Sequence, residues 1–230
     1  MKWIFFDIDE TLLDHSTAEK VAIKKFMYMH RDVFGGKFKM FFEVWRKITR
    51  EYKTLYEKGM LTFDGNRFKR MSALFGAYGC KITLTGARAA FREYQAYYKK
   101  YVRAFPDVLP CLEELKGNRL GVISNGKTIQ QMKKLKGTGI LKYFSVFAIA
   151  DRAGCSKPDC GIFEYACNKA GCKPSEAYFV GDRLDIDAIA GRKAGLKTFW
   201  LNRAGNCGIA GNGIREIKGL NGFKPDAKEN

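Results

Sequence analysis

Two acidic side chains near the start of the chain, Asp7 and Asp9, have the spacing and surroundings of a catalytic pair. They follow Trp3-Ile4-Phe5-Phe6, a run that is too continuously apolar for a half-exposed strand and is typical of the middle of a parallel sheet. Residues i and i+2 of an extended chain project to the same side. One carboxylate can therefore attack an ester or phosphate, while the other protonates the leaving oxygen and later activates water. The pair predicts a covalent mechanism with an acyl-phosphate-type intermediate.

Asp7 and Asp9 also predict a metal ion. Two carboxylates so close repel each other, and both stay ionised only beside a cation. A hard, oxygen-seeking ion such as Mg²⁺ suits these ligands. The alternative is that Asp7-Ile8-Asp9-Glu10-Thr11 is only a strand end followed by a turn, where Asp and Thr are common. Because short motifs often arise by chance, the rest of the chain must decide between the two interpretations.

Three further polar segments follow, each at the end of a predicted strand. They are Ser124-Asn125-Gly126, Ser156-Lys157-Pro158, and Gly181-Asp182 with Asp187 five residues later. The first offers a hydroxyl and successive backbone N–H groups at the start of a predicted helix, which suits phosphate. The second places a lysine before a helix that a proline opens. Because function in parallel sheets gathers at the carboxyl ends of strands, four such segments in order favour one catalytic site.

These four segments resemble the motifs of the haloacid dehalogenase-like (HAD) superfamily of phosphotransferases, and the resemblance extends from Met1 to about Leu201. It implies a Rossmann-like α/β fold in which a parallel sheet has helices on both faces. It also implies Mg²⁺ as the cofactor and a small anionic phosphomonoester as the substrate. The dehalogenases that name the superfamily lack the second acid and use no metal. The presence of Asp9 therefore favours phosphoryl transfer.

The resemblance also implies a role for each matched residue. Asp7 would be the nucleophile and Asp9 the general acid and base. Ser124, together with Asn125 and Gly126, would bind the transferring phosphoryl group. Lys157 would neutralise charge between the nucleophile and the phosphate.

The same resemblance implies the metal ligands. Asp182 would bind Mg²⁺ together with Asp7 and the backbone carbonyl of Asp9. Asp187 would hold the metal through its waters, as a residue of the outer shell. Asp185 does not fall on the motif's spacing, and we expect it to be a solvated helix residue.

The order of predicted elements divides the chain into two domains. In the second half, short strands alternate with helices, a rhythm of βαβ units that implies a parallel sheet. Residues 15–105 contain no good strand and show apolar residues at helical intervals. We therefore expect an α/β core of residues 1–14 and 106–230 and an all-helical insert of residues 15–105, similar to the cap of the superfamily's first subclass. In the Gly- and Asn-rich tail, we expect a short helix near residues 214–220.

The net charge of +17 is unevenly distributed. Residues 15–105 hold 20 of the 41 Lys and Arg residues but only 7 of the 24 Asp and Glu residues. A positive field would steer anionic substrates toward a site. Clustered basic residues with interleaved aromatics also occur in nucleic-acid-binding proteins. We favour a solvated helical surface first and substrate steering second, with nucleic acid as the least favoured partner.

The seven cysteines indicate neither a zinc ribbon nor a disulfide framework, because they form no C-x-x-C pair and are odd in number. The sequence contains no apolar run of 18 residues, and Met1-Lys2 leads into the first predicted strand rather than into a signal peptide. We therefore expect a cytoplasmic protein without membrane contact, either a monomer or a homodimer.

Several phrases resemble the bacterial pyrimidine nucleotidase branch of the superfamily, which hydrolyses nucleoside monophosphates. The phrases are residues 2–12, Ser124-Asn125-Gly126, residues 191–196 and Trp200-Leu201-Asn202. They predict a nucleoside 5′-monophosphate as the substrate. Similar phrases occur in related enzymes, so a sugar-phosphate phosphatase or a phosphomutase is the alternative. A nucleic-acid-binding or anion-binding protein on a degenerate phosphatase scaffold is the alternative of another class, which the intact motifs oppose.

Overall fold

The computed structural model describes residues 1–211 and 213–225, and the chain divides into two compact units. One unit consists of Met1–His15 and the chain from Arg103 onward, and the other of Ser16–Val102. Residues 226–230 of the predicted core domain lie outside the described residues. Within the described ranges, no helix is long and apolar enough to cross a membrane.

The unit Ser16–Val102 is helical, as predicted. Its helices are α1 (His15–Met29), α2 (Arg31–Phe34), α3 (Phe38–Glu57), α4 (Phe63–Gly76) and α5 (Leu84–Tyr101). Thr62 and Thr83 cap α4 and α5, because each side-chain oxygen accepts a backbone N–H three residues later, at 3.0 and 3.1 Å. Aromatic side chains at helical spacing fill the core of this unit. For example, the buried rings of Trp45 and Tyr94 lie 5.1 Å apart between centroids.

The other unit is built on a parallel sheet of six strands. The strands are β1 (Trp3–Phe6), β2 (Arg119–Ser124), β3 (Val146–Ile149), β4 (Ala177–Gly181), β5 (Lys197–Leu201) and β6 (Ile214–Ile217). Their order in the sheet is β3-β2-β1-β4-β5-β6. Strand β1 lies between β2 and β4, and Phe6 pairs with Val122 on one side and Val180 on the other. The end of β1 is therefore flanked by the ends of two other motif-bearing strands.

Helices connect these strands, as the βαβ rhythm predicted. They are α6 (Val108–Glu114), α7 (Thr128–Gly137), α8 (Ala150–Ala153), α9 (Cys160–Ala170) and, after a π-helical turn at Leu184–Ile189, α10 (Ala190–Lys193). Phe163 of α9 packs edge-on against Phe179 of β4, with ring centroids 5.1 Å apart. The prediction of a Rossmann-like α/β core with an all-helical insert is confirmed by this architecture.

The prediction of a short helix near residues 214–220 was wrong. Ile214–Ile217 is strand β6, which extends the parallel sheet by pairing Ile214 with Thr198 of β5. A three-residue 3-10 turn, Leu220–Gly222, is the helical part of this segment. Local periodicity could not reveal the strand, because its backbone hydrogen bonds are made with β5 and not within the segment itself.

Candidate active site

Asp7 stands at the carboxyl end of β1. Its backbone N–H donates to the carbonyl oxygen of Val180 at 2.9 Å, which extends the pairing with β4 by one residue. Only 6% of the residue's surface is exposed. Strand β1 thus presents a nearly buried carboxylate at the edge of the sheet where functional residues gather.

Lys157 contacts this carboxylate directly. Its ammonium nitrogen Nζ lies 2.6 Å from Asp7 Oδ1 and 2.6 Å from Asp187 Oδ1, and only 2% of its side chain is exposed. Burial disfavours the ammonium, but the charges of Asp187 and Asp7 outweigh it and raise the pKa of Lys157. Lys157 is therefore a fixed positive charge between two acids.

Asn125 holds the backbone of Lys157 in place. Its Nδ2 donates to the carbonyl oxygen of Lys157 at 2.8 Å, and its Oδ1 accepts the N–H of Lys157 at 2.8 Å. The sequence placed Asn125 at the phosphate, whereas the structure commits the side-chain oxygen and one N–H of its amide to Lys157. Its contribution to a phosphate site would therefore come from the backbone.

Three carboxylates converge at the end of β1. Asp7, Asp182 and Asp187 each offer an oxygen, and these atoms lie within 4.8 Å of one another. Asp182 follows β4, where its carboxylate accepts a hydrogen bond from Thr11 Oγ1 at 3.3 Å. Its backbone carbonyl accepts one from Trp200 Nε1 at 3.0 Å. The position of these residues at one edge of the sheet, together with the hydrogen bonds of Asp182, brings the three carboxylates close enough to bind one cation.

Asp187 reaches this cluster from the π-helical turn. Its Oδ2 accepts the backbone N–H of Arg183 at 3.0 Å, and the residue is 1% exposed. A Cβ atom added to Gly181 would lie 2.5 Å from the Cβ of Asp187. The sequence assigned Asp187 an outer role through waters, but its carboxylate lies close enough to share an ion with Asp7 and Asp182.

The electrostatics of the cluster suit a cation. Burial raises the pKa of both Asp7 and Asp182 above the ordinary carboxyl range, neighbouring carboxylates raise it further, and Lys157 offsets only part of the increase. An all-oxygen set of carboxylates is what Mg²⁺ prefers. These residues therefore fit a hard divalent ion.

The residues predicted to bind phosphate, Ser124-Asn125-Gly126, end β2 and begin the turn into α7. Ser124 is 2% exposed, and its hydroxyl oxygen accepts a hydrogen bond from Gln131 Nε2 at 3.0 Å. Gly126 has a φ of 145°, a conformation that side chains with a Cβ rarely adopt. The turn into α7 therefore depends on glycine at this position.

Asp9 makes its main contacts with α7. Its two carboxylate oxygens lie 2.7 and 2.6 Å from Lys134 Nζ, and Oδ2 also lies 3.4 Å from Gln131 Nε2. Burial alone would raise the pKa of Asp9, but Lys134, His15 and Gln131 together lower it to about 2. Asp9 is thus an anion anchored to the helix that follows the Ser124 segment.

A model of the haloacid dehalogenase-like hydrolases matches residues 1–195, which is most of the chain and includes every side chain of this site described above except Trp200. The chain belongs to this family. The family predicted from the four motifs is therefore confirmed, and with it the prediction that the protein is an enzyme.

Named HAD relatives cover most of the chain. Glyceraldehyde 3-phosphate phosphatase of Methanothermobacter thermautotrophicus is 32% identical over 205 residues, which are 88% of this chain and 86% of that protein. Pyrimidine 5′-nucleotidase YjjG of Escherichia coli is 28% identical over 205 residues, covering 87% of this chain and 85% of that protein. Phosphatase names among these relatives support the predicted class of phosphoric monoester hydrolase.

Solved HAD structures show the same fold. The putative HAD-hydrolase YfnB from Bacillus subtilis, in a structure bound to magnesium, has a TM-score of 0.76 at 22% identity, covering 96% of this chain and 95% of that chain. A HAD phosphatase from Thermococcus onnurineus has a TM-score of 0.61 at 27% identity, covering 96% of this chain and 95% of that chain. The likeness spans both compact units of the HAD chain described here.

Two residues of this HAD site, Gln131 and Lys134, were not identified from the sequence. Both are buried on α7, together with Leu135, at the spacing i, i+3, i+4 of one helical face. The sequence did contain a signal for these two residues: they are polar side chains at positions that helical periodicity assigns to the interior. Such residues need partners when buried, and Ser124 and Asp9 are those partners.

Proposed function

We propose that this HAD-like hydrolase is a Mg²⁺-dependent phosphatase that acts on small phosphomonoesters through an aspartyl-phosphate intermediate. The observation that carries the proposal is the buried contact of Lys157 with Asp7, beside the acids Asp182 and Asp187. Nucleophile, fixed cation and metal ligands then lie within one small region. Mg²⁺ would be held by these carboxylates and the backbone carbonyl of Asp9, and it would neutralise charge on the transferring phosphoryl group.

In the first step, a carboxylate oxygen of Asp7 attacks phosphorus, and the bond from phosphorus to the ester oxygen breaks. Asp9, a carboxylate in the resting site, takes the proton of the phosphomonoester monoanion and passes it to the departing oxygen, so that an alcohol leaves and Asp7 carries the phosphoryl group. Ser124 and the backbone N–H groups after it would hold the phosphoryl oxygens. Lys157 would offset the negative charge where nucleophile and phosphate meet.

In the second step, water attacks the phosphorus of the aspartyl phosphate. Asp9 takes a proton from this water, and the bond from phosphorus to Asp7 breaks. Inorganic phosphate leaves with this proton, so that Asp7 and Asp9 are both carboxylates again. The two steps together consume one ester and one water and produce one alcohol and one phosphate.

The preferred substrate in this proposal is a nucleoside 5′-monophosphate, supported by the sequence phrases and by the similarity to the nucleotidase YjjG. A three-carbon sugar phosphate is the second candidate, because a glyceraldehyde 3-phosphate phosphatase is 32% identical. We assign the choice between them to the helical unit Ser16–Val102, which is similar to the cap of the superfamily's first subclass. The cytoplasm remains the location that we expect from the sequence.

The test is a phosphate-release assay with p-nitrophenyl phosphate, nucleoside monophosphates and glyceraldehyde 3-phosphate, each with Mg²⁺ and with EDTA. We expect activity to require the metal and to vanish in Asp7→Asn, a change that keeps the side chain's shape but removes the nucleophile. Asp185→Asn is the matched control, because Asp185 is exposed and pairs with Arg183. Comparable rates in EDTA, or an active Asp7→Asn enzyme, would contradict the proposal.

A phosphomutase would give a different product from the same site. Incubation with hexose phosphates should release inorganic phosphate if water accepts the phosphoryl group. An isomeric hexose phosphate without phosphate release would identify a mutase instead.

A further inference from the structure

Lys134 is a buried cation that the chemistry proposed above does not use. Its side chain is 7% exposed, whereas Lys133 and Lys136 on the same helix are exposed. Burying an ammonium is unfavourable unless an anion compensates for the lost hydration. Asp9 is the anion it contacts, through both carboxylate oxygens at 2.6 and 2.7 Å. The contact with Asp9 therefore compensates for the unfavourable burial of Lys134.

Asp9 lies beyond the end of β1, where a bridge to Leu13 holds its backbone but leaves the rotation of its side chain to other contacts. A carboxylate that exchanges protons with a leaving oxygen must be placed within hydrogen-bond distance of that oxygen. The contact with Lys134 limits the rotation of the Asp9 side chain, since both oxygens are held from one side.

Gln131 links this anchor to the predicted phosphate site. Its Nε2 lies 3.0 Å from Ser124 Oγ and 3.4 Å from Asp9 Oδ2. Lys134 follows three residues later on the same face of α7, so one helix contacts both the hydroxyl and the acid. The shorter distances belong to Lys134, which makes it the stronger of the two contacts.

We propose that Lys134 is a positioning residue that sets the orientation of Asp9 toward the ester oxygen, with Gln131 keeping Asp9 in register with Ser124. This inference rests on the proposed phosphatase function. Lys134 acts through Asp9, so its removal affects the two proton transfers of Asp9, to the leaving oxygen and from water, and leaves the attack by Asp7 nearly unchanged.

Leaving-group dependence tests this role. An alkoxide must be protonated as it departs, whereas p-nitrophenolate leaves without a proton. For Lys134→Met, we expect kcat/KM with an alkyl phosphate to fall by about tenfold or more and kcat/KM with p-nitrophenyl phosphate to change less than about threefold. The ratio kcat/KM reports transfer of the phosphoryl group to Asp7 and excludes the later hydrolysis, in which Asp9 acts on both substrates alike. Lys134→Arg should restore much of the alkyl phosphatase activity, because a guanidinium can contact both oxygens. Lys133→Met, at an exposed neighbouring lysine, is the matched control.

A double-mutant comparison tests whether Lys134 works through Asp9. Adding Lys134→Met to Asp9→Asn should cause no further loss with phenyl phosphate, whereas independent roles would multiply the two losses. If Lys134→Met does not fold, Lys134→Gln replaces it, since it removes the charge and keeps a donor.

The possible failures are distinguishable. If the wild-type protein hydrolyses neither class of ester, the proposed phosphatase function is itself contradicted. An active wild type in which Lys134→Met lowers kcat/KM for both ester classes equally, or for neither, would overturn only the role of Lys134. Multiplying losses in the double mutant would overturn it as well.

Discussion

Lys157 Nζ lies 2.6 Å from Asp7 Oδ1, although the two residues are 150 positions apart in the sequence. The same nitrogen lies 2.6 Å from Asp187 Oδ1. One ammonium therefore holds two buried carboxylates that would otherwise repel each other. We therefore expect Lys157 to stabilise the folded protein in addition to its proposed role in catalysis.

Lys157→Met should destabilise the protein as well as inactivate it. The change leaves Asp7 and Asp187 as buried carboxylates without their shared cation, and breaking a buried ion pair in this way costs about 3–5 kcal/mol. Urea unfolding in EDTA measures the free energy of unfolding, and Lys136→Met at an exposed position is the control. A loss below about 1 kcal/mol would show that the two acids tolerate each other without Lys157.

Mg²⁺ should raise the melting temperature of the wild type and not that of Asp182→Asn. Binding at about one hundred times the dissociation constant stabilises by about 2.7 kcal/mol, which corresponds to about 5 °C or more for a chain of this size. Without metal, Asp182→Asn should melt no lower than the wild type, because one of three clustered negative charges is gone. Asp185→Asn should keep the full Mg²⁺ shift, and equal shifts in all three proteins would place the ion elsewhere.

Asp107 should contribute stability at neutral pH that is lost in acid. Its carboxylate accepts two hydrogen bonds from Arg203, at 2.8 and 2.9 Å, and one from the N–H of Leu220 at 2.7 Å. Burial raises the pKa of Asp107, but these donors outweigh it, so the folded protein has a lower pKa than the unfolded chain. The ionised form therefore favours folding above the ordinary pKa of Asp, about 4, and this contribution disappears as the pH falls through the folded value.

The measurement for Asp107 is urea unfolding of wild type and Asp107→Asn from pH 7 to pH 3. We expect a difference of about 2 kcal/mol at pH 7 that shrinks below about pH 4. A difference that stays constant over this range would mean that the charge of Asp107 contributes nothing.

Gly181→Ala should displace the side chain of Asp187 in the cluster of Asp7, Asp182 and Asp187. The new methyl group would meet Asp187 at 2.5 to 2.7 Å, so the side chain of Asp187 or strand β4 must move. Overpacking of this kind costs about 1–3 kcal/mol. We expect that loss in urea unfolding, together with a smaller Mg²⁺ shift in melting temperature.

Gly137→Ala is the control for this substitution, because nothing lies within 4 Å of the added atom and the residue is helical. It should leave stability unchanged or increase it by up to about 1 kcal/mol. Equal effects of the two substitutions would mean that the packing of Gly181 against Asp187 is unimportant.

Much of the site follows from the sequence because of where its residues stand along the chain. Asp7, Ser124 and Asp182 each lie at or just after the end of a buried apolar strand, and local periodicity reveals such strands. The βαβ rhythm makes the strands parallel, which brings their carboxyl ends to one edge. The fold class and the proximity of these residues were therefore predictable.

Other features required the three-dimensional packing. Lys134 contacts Asp9, which lies 125 positions away in the sequence. Asn125 hydrogen-bonds to the backbone of Lys157, and Ile214–Ile217 forms an additional strand of the sheet. Hydrophobic periodicity indicates only that a side chain faces the interior. It does not indicate which residue from another part of the chain that side chain contacts. The sequence by itself determined the family, the parallel sheet and the acids at its edge, because these depend on local burial. Only the tertiary structure decided which charges pair inside the site, because that depends on contacts between segments far apart in the chain.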